Sequence, residues 1–147
     1  MKKYFLSLAV LLTLGATTIF AGKSPGGNPK AVEVFKKQFV NAENVKWSFE
    51  GGYDKATFIL GGNRAIAVFS PEGELMGSMR DLVYNQLPLA VITGLDNKYP
   101  TAVLIDIREV TTAEGTRYKF TLEQKSKKYA VSITPDGSVE TVQRLKQ

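Results

Sequence analysis

Phe69-Ser70-Pro71-Glu72-Gly73-Glu74-Leu75 and Ile133-Thr134-Pro135-Asp136-Gly137-Ser138-Val139 carry one local instruction twice: an apolar strand end, a Pro-acid-Gly turn and an apolar restart. Proline sets φ for the turn, and glycine takes a backbone conformation that other residues resist. The two stretches lie 64 residues apart. Upstream, Phe58 and Leu60 match Phe120 and Leu122 at a spacing of 62. Further back, Phe39-Val40-Asn41-Ala42 matches Tyr99-Pro100-Thr101-Ala102 at a spacing of 60. A spacing that grows by two at each hairpin is what loop-length changes between duplicated units produce. The chain reads as one α+β unit used twice.

The elements follow from periodicity. Asn28 is an N-cap with Pro29 at the first helical position. Ala31, Val32, Phe35 and Phe39 then recur at helical spacing. Val45, Trp47 and Phe49 alternate with Lys46, Ser48 and Glu50, as in a half-buried strand. Gly51-Gly52 turns the chain, Ala56, Phe58 and Leu60 form the next strand face, and Gly61-Gly62 makes a two-residue hairpin. With Leu60 opposite Asn63, Phe58 faces Ala65 and Ala56 faces Ala67, a register consistent on one side. Leu75 to Arg80 supplies a fourth strand.

The second unit repeats the order. Its helix starts at Leu87-Pro88, runs to Tyr99 with Val91, Ile92 and Leu95 on one face, and stops at Pro100. Gly94 inside it costs about 1 kcal/mol relative to Ala, so this helix depends on tertiary packing. Ile105 and Ile107 match Val45 and Trp47; Tyr118, Phe120 and Leu122 make the next strand. Lys125-Ser126 is the turn into Tyr129, Val131 and Ile133, and the last strand contains Val139 and Thr141. The predicted fold is α+β: two tandem repeats, residues 29–84 and 85–147, each a helix packed on a four-stranded antiparallel sheet.

Residues 1–21 read as a signal peptide. Lys2-Lys3 is its positive end, Phe5 to Leu14 its apolar stretch, and Ile19-Phe20-Ala21 its cleavage site. No stable membrane insertion is expected after cleavage, and residues 22–28 read as a flexible linker. Removing the segment with its two lysines takes the formal net charge from +5 to +3, a mildly basic surface and no nucleic-acid footprint. The chain has no Cys, so an exported fold must rest on its core without disulfides. A periplasmic location fits that composition.

Catalytic constellations are missing. Without His or Cys the usual general base and thiol nucleophile are gone, and zinc lacks its usual ligands. No Ser sits in a G-x-S-x-G elbow or an S-x-x-K helix start. Glu72 and Asp136 belong to turns, Asp106 and Glu109 face opposite sides of a strand, and Asp96-Asn97 is no calcium loop. Lys125-Ser126-Lys127-Lys128 is a basic hairpin tip. No catalytic residue, metal site or cofactor is expected.

The helix followed by Phe39-x-x-Ala42-x-x-Val45-Lys46-Trp47, the Gly-Gly hairpins, Phe69-x-x-x-Gly73 and Leu87-Pro88…Lys98-Tyr99-Pro100 resemble the exported bacterial PepSY-like proteins described as β-lactamase-inhibitor-like. The resemblance covers nearly all of residues 29–147, and the second unit departs from it with Ile107 where the first has Trp47. It implies tandem α+β units, an exported location and a binding or inhibitory role. Strand parity adds a candidate surface. If Ala56, Phe58, Ala65, Ala67 and Phe69 lie under the helix, the opposite face shows Lys55, Thr57, Ile59, Arg64, Ile66 and Val68, and Tyr53, which borders the Gly51-Gly52 turn, is the exposed aromatic candidate. The expected function is a non-enzymatic periplasmic module that presents this face and its hairpin loops to a protein partner. The alternative is a lipid- or peptide-binding protein using a cleft between the repeats.

Overall fold

The computed structural model describes residues 26–146. The expected signal peptide, residues 1–21, and the start of the expected linker lie outside the described residues. The elements are α1 (Pro29–Gln38), β1 (Glu43–Glu50), β2 (Tyr53–Leu60), β3 (Asn63–Phe69), β4 (Leu75–Asp81), α2 (Leu89–Lys98), β5 (Val103–Thr112), β6 (Gly115–Gln124), β7 (Lys127–Ile133) and β8 (Val139–Arg144). The fold is α+β, with the strands in one eight-stranded antiparallel sheet in chain order. The chain divides into two compact units at Met79/Arg80, within β4.

In the first unit α1 begins as the sequence dictates. The Asn28 side chain accepts a hydrogen bond from Lys30 N–H at 3.0 Å, and Pro29 occupies the first turn. Ala31 and Phe35 are buried against Ala56, Phe58, Ala65, Ala67 and Phe69. Each large side chain so buried is worth about 1.5–3 kcal/mol. The Phe35 ring lies 4.9 Å from Phe58 and 5.5 Å from Trp47, edge-on to both. Gly27 lies against the Trp47 ring, so the last linker residues are seated on the core.

The second unit has a mainly aliphatic core with Tyr118 and Phe120 in it. Val91 and Leu95 of α2 pack with Ile107, Tyr118, Phe120, Leu122, Val131 and Ile133. Both helices end alike: Phe39 N–H donates to the Phe35 carbonyl at 2.9 Å, and Tyr99 N–H to the Leu95 carbonyl at 2.8 Å. Their starts differ, because α2 has Pro88 as N-cap with no side-chain capping bond.

The ladders correct the spacing read from the sequence. Trp47 stands opposite Ala56, and Ile107 opposite Phe120. Phe58 stands opposite Ala65, and Leu122 opposite Tyr129. The offset is therefore 60 before the first hairpin of each unit and 64 after it, with no step at 62. β5 and β6 have ten residues each where β1 and β2 have eight, which places all four extra residues in one hairpin. With Trp47 set against Ile107, the residue compared with Phe120 is Ala56 rather than Phe58.

The two Pro-acid-Gly turns have the same backbone bonds. Ser70 N–H donates to the Glu74 carbonyl and Gly73 N–H to the Ser70 carbonyl, each at 2.9 Å; Thr134, Ser138 and Gly137 repeat both bonds at 2.9 Å. Each turn rests on its helix. A Cβ at Gly73 would come within 2.9 Å of Ala31 N, and Asn28 Nδ2 donates to the Pro71 carbonyl at 2.7 Å. In the second unit a Cβ at Gly137 would collide with the Ala90 carbonyl oxygen, and one at Gly94 with the Gly137 carbonyl oxygen. Gly94 is there because the turn crosses the helix at that point.

Two predictions come from these turns. Helix propensity alone makes Gly94→Ala stabilising by about 1 kcal/mol. The collision with Gly137 outweighs it, so Gly94→Ala and Gly137→Ala each destabilise by roughly 2 kcal/mol or more in urea unfolding. Asp136 accepts bonds from the Thr134 hydroxyl, the Ser138 amide and the Ser138 hydroxyl, and these hold its carboxyl below the ordinary aspartate value. A depressed folded value gives stability that is present above the unfolded value of 3.8 and lost as pH falls through the folded one. Between about pH 5 and pH 2 the melting temperature of Asp136→Asn therefore falls less than that of the wild type.

Candidate functional site

α1 covers one face of its strands, and alternation along the strands sends the remaining side chains to the other. On that helix-free face, β2 contributes Lys55, Thr57 and Ile59, and β3 contributes Arg64, Ile66 and Val68 across the ladder from them. Arg64 is exposed, and Ile59 and Tyr53 are half-buried. Ile66 and Val68 are not available as expected: they are 5% and 1% exposed. Alternation identifies a face and says nothing about depth. β3 is an inner strand of the sheet, so its short β-branched side chains are flanked on both sides. Lys55 stands opposite Val68, and its side chain is only 18% exposed because it is drawn into an ion pair with Glu50 at 2.7 Å. Ile66 and Val68 form the floor of this face; Tyr53, Ile59 and Arg64 reach solvent.

Trp47 lies half-buried in the helix-side aromatic cluster, 5.6 Å from Phe69. On β1, an outer strand, its same-face neighbours Val45 and Phe49 are 37% and 44% exposed. Sequence alternation placed the three together and did not register the edge.

The second unit brings together side chains that the sequence reading left apart. Arg80 Nη2 lies 3.3 Å from Glu109 Oε2, and Tyr118, opposite Glu109 in the ladder, has its hydroxyl pushed up by burial and then by the Glu109 charge. Arg108 Nε lies 2.9 Å from Asp106 Oδ2 and 3.6 Å from Asp81 Oδ1. Arg117 Nε donates to Glu140 Oε2 at 2.6 Å. Each of these carboxylates is engaged by a guanidinium, so none is presented bare to a substrate proton. Asp106 and Glu109 are engaged by different arginines, Arg108 and Arg80. Among the described residues no group of three or more Asp or Glu is placed to hold a metal ion. None of the described helices is long and apolar enough to cross a membrane.

This architecture occurs in solved structures. A BLIP-like (β-lactamase-inhibitor-protein-like) protein from Bacteroides fragilis superimposes with a TM-score of 0.77 at 23% identity, over 86% of this chain and 91% of its own. A DUF2874 family protein from Bacteroides ovatus gives 0.73 at 23% identity, over 84% and 89%. A protein from Bacteroides eggerthii, described as a candidate periplasmic protein, gives 0.71 at 21% identity, over 80% and 88%. The fold is BLIP-like. No family model matches the chain, and no curated protein matches it either.

The depth of the face separates two substitutions that look alike in the sequence. Ile66→Lys places an ammonium at a site 5% exposed and destabilises by about 2 kcal/mol or more. Ile59→Lys, half-exposed, costs less than about 1 kcal/mol in the same urea titration.

Proposed function

We propose that this chain is a non-enzymatic, exported binding module of two copies of one helix-plus-four-strand unit, and that it offers the helix-free face of the first unit and its hairpin tips to a protein partner in the periplasm. The observation that carries the reading is the face itself. A half-exposed apolar residue, Ile59, and an aromatic one, Tyr53, stand with the exposed Arg64 over a buried Ile66–Val68 floor. Aromatic and Arg anchors set on rigid strands are what interface hot spots are made of. Two copies are supported by the matching helix ends and turn bonds, and by strand bulges between Glu43 and Lys46 and between Leu104 and Asp106. The Lys2-Lys3 and Phe5–Leu14 pattern supports export, as does the candidate periplasmic neighbour of the same fold. The finer PepSY-like affiliation rests on the residue pattern. A binding role without catalysis is supported by the BLIP-like fold, the lack of His and Cys, and carboxylates engaged by arginines.

Immobilised protein should retain a defined partner from periplasmic extract. The double substitution Ile59→Lys and Arg64→Glu should weaken that retention on the order of a hundredfold, as loss of two central anchors does. Equal retention by the folded variant would falsify the assignment of this face.

A further inference from the structure

Charges that the partner-binding face does not use collect at the tip of the β6–β7 hairpin. Lys125, Ser126, Lys127 and Lys128 line an open cleft with Arg144, Leu145 and Lys146, enclosing about 630 Å³. That is the size of a small-ligand site. Leu145 N–H donates to the Lys128 carbonyl at 2.9 Å, which holds the tail beyond β8 beside the lysines. Five cations line the cleft, and no carboxylate does among the described residues. Glu123 stands opposite Lys128 in the ladder and balances part of that charge without entering the lining.

The turn supplies an independent observation. Lys125 and Ser126 both adopt left-handed backbone, with φ of 51° and 57°. The β2–β3 hairpin fills the same two positions with Gly61 and Gly62, for which that conformation costs nothing. A two-residue hairpin of this type favours Asn-Gly, and side chains forced into it are strained. The second hairpin therefore keeps a lysine at its tip against local preference, and beside four more cations that repel it. Strain held in this way gathers at ligand sites.

We propose that this cleft binds a phosphate-bearing polyanion, either as a free solute or as the headgroup of a lipid. Lysine ammonium groups meet phosphate as mobile point charges and need no fixed fork geometry. Adjacent phosphate groups bring several negative charges into the volume that these cations surround. Leu145 is the one apolar residue in this lining, so the recognition it offers is set by charge, and an acidic peptide is a competing outcome of the test below.

The test uses the purified protein, inorganic pyrophosphate by titration calorimetry, and vesicles of phosphatidylglycerol against phosphatidylcholine by co-sedimentation. Pyrophosphate, phosphatidylglycerol vesicles or both bind, and binding weakens as salt rises. Lys127→Glu with Lys128→Glu lowers that affinity by about tenfold or more. Lys125→Asn with Ser126→Gly, which gives the turn its preferred residues, melts higher than the wild type yet binds several-fold more weakly. Pyrophosphate binding without vesicle binding identifies a soluble ligand, and the reverse identifies a headgroup. Failure of both probes to bind, or affinities unchanged in both variants, overturns the proposal. Polyglutamate binding tighter than pyrophosphate at these lysines overturns it as well, in favour of an acidic protein.

Discussion

The close approach of a Pro-acid-Gly turn to the helix of its own unit constrains the rest of the structure. In the first unit the backbone of Gly73 rests on the first turn of α1, and Asn28 both caps that helix and bonds the Pro71 carbonyl. One side chain therefore starts the helix and fastens it to the turn that leads into the fourth strand. In the second unit the capping bond is missing, and backbone meets backbone instead: Gly137 against Ala90, Gly94 against Gly137. Either way the crossing fixes where the helix lies over the strands, and so decides which strand face it covers. Packing density leaves little room for another arrangement, since interiors respond to a single added methyl group.

Within that frame the two cores solve one geometric problem with different residues. The first stacks Phe35, Phe39, Trp47, Phe58 and Phe69, with ring centroids 4.9–6.4 Å apart, and fills the gaps with Ala56, Ala65 and Ala67. The second distributes its volume over Val91, Leu95, Ile107, Phe120, Leu122, Val131 and Ile133. The first sets large rings beside alanines; the second mixes Tyr118 and Phe120 with aliphatic residues of medium size. Cores accept such exchange when the total volume is kept. A position-by-position match of side chains is consequently a poor guide to the register, whereas the turns are a good one.

That difference explains what could be read from the chain alone. The Asn28 cap, the Gly61-Gly62 hairpin and both Pro-acid-Gly turns were legible because each is decided by a few consecutive residues. The Ala56/Ala67 and Phe58/Ala65 pairs followed from the hairpin, and the ladder has them. Matching Phe58 to Phe120 compared like side chains, whereas the ladder pairs Phe58 with Ala65 and Phe120 with Val131, so side-chain likeness and pairing do not run together. The depth of Ile66 and Val68 was not legible for a related reason. Parity is a property of one strand, but burial is a property of its neighbours, including the Lys55–Glu50 pair that lies across from Val68. Gly94 showed in the sequence only as a helix weakness; its cause lies 43 residues further on, at Gly137.

The same separation of local and distant effects bears on what the scaffold can do. A helix-covered face and a turn that cannot tolerate a Cβ make a rigid frame, and rigid frames place function on the side chains that packing leaves over. Here those are of two kinds. The β5 carboxylates are taken up by arginines, Glu109 by Arg80 of β4 and Asp106 by Arg108 of its own strand, and the Arg80–Glu109 and Arg108–Asp81 pairs hold β5 to β4. A further group of charges, Lys125, Lys127 and Lys128, lies at one hairpin end, where a side chain can be exchanged without disturbing either core. Recognition by exposed tips and by one strand face is the chemistry such a frame permits most readily, because it asks for position and charge and for no perturbed proton affinity.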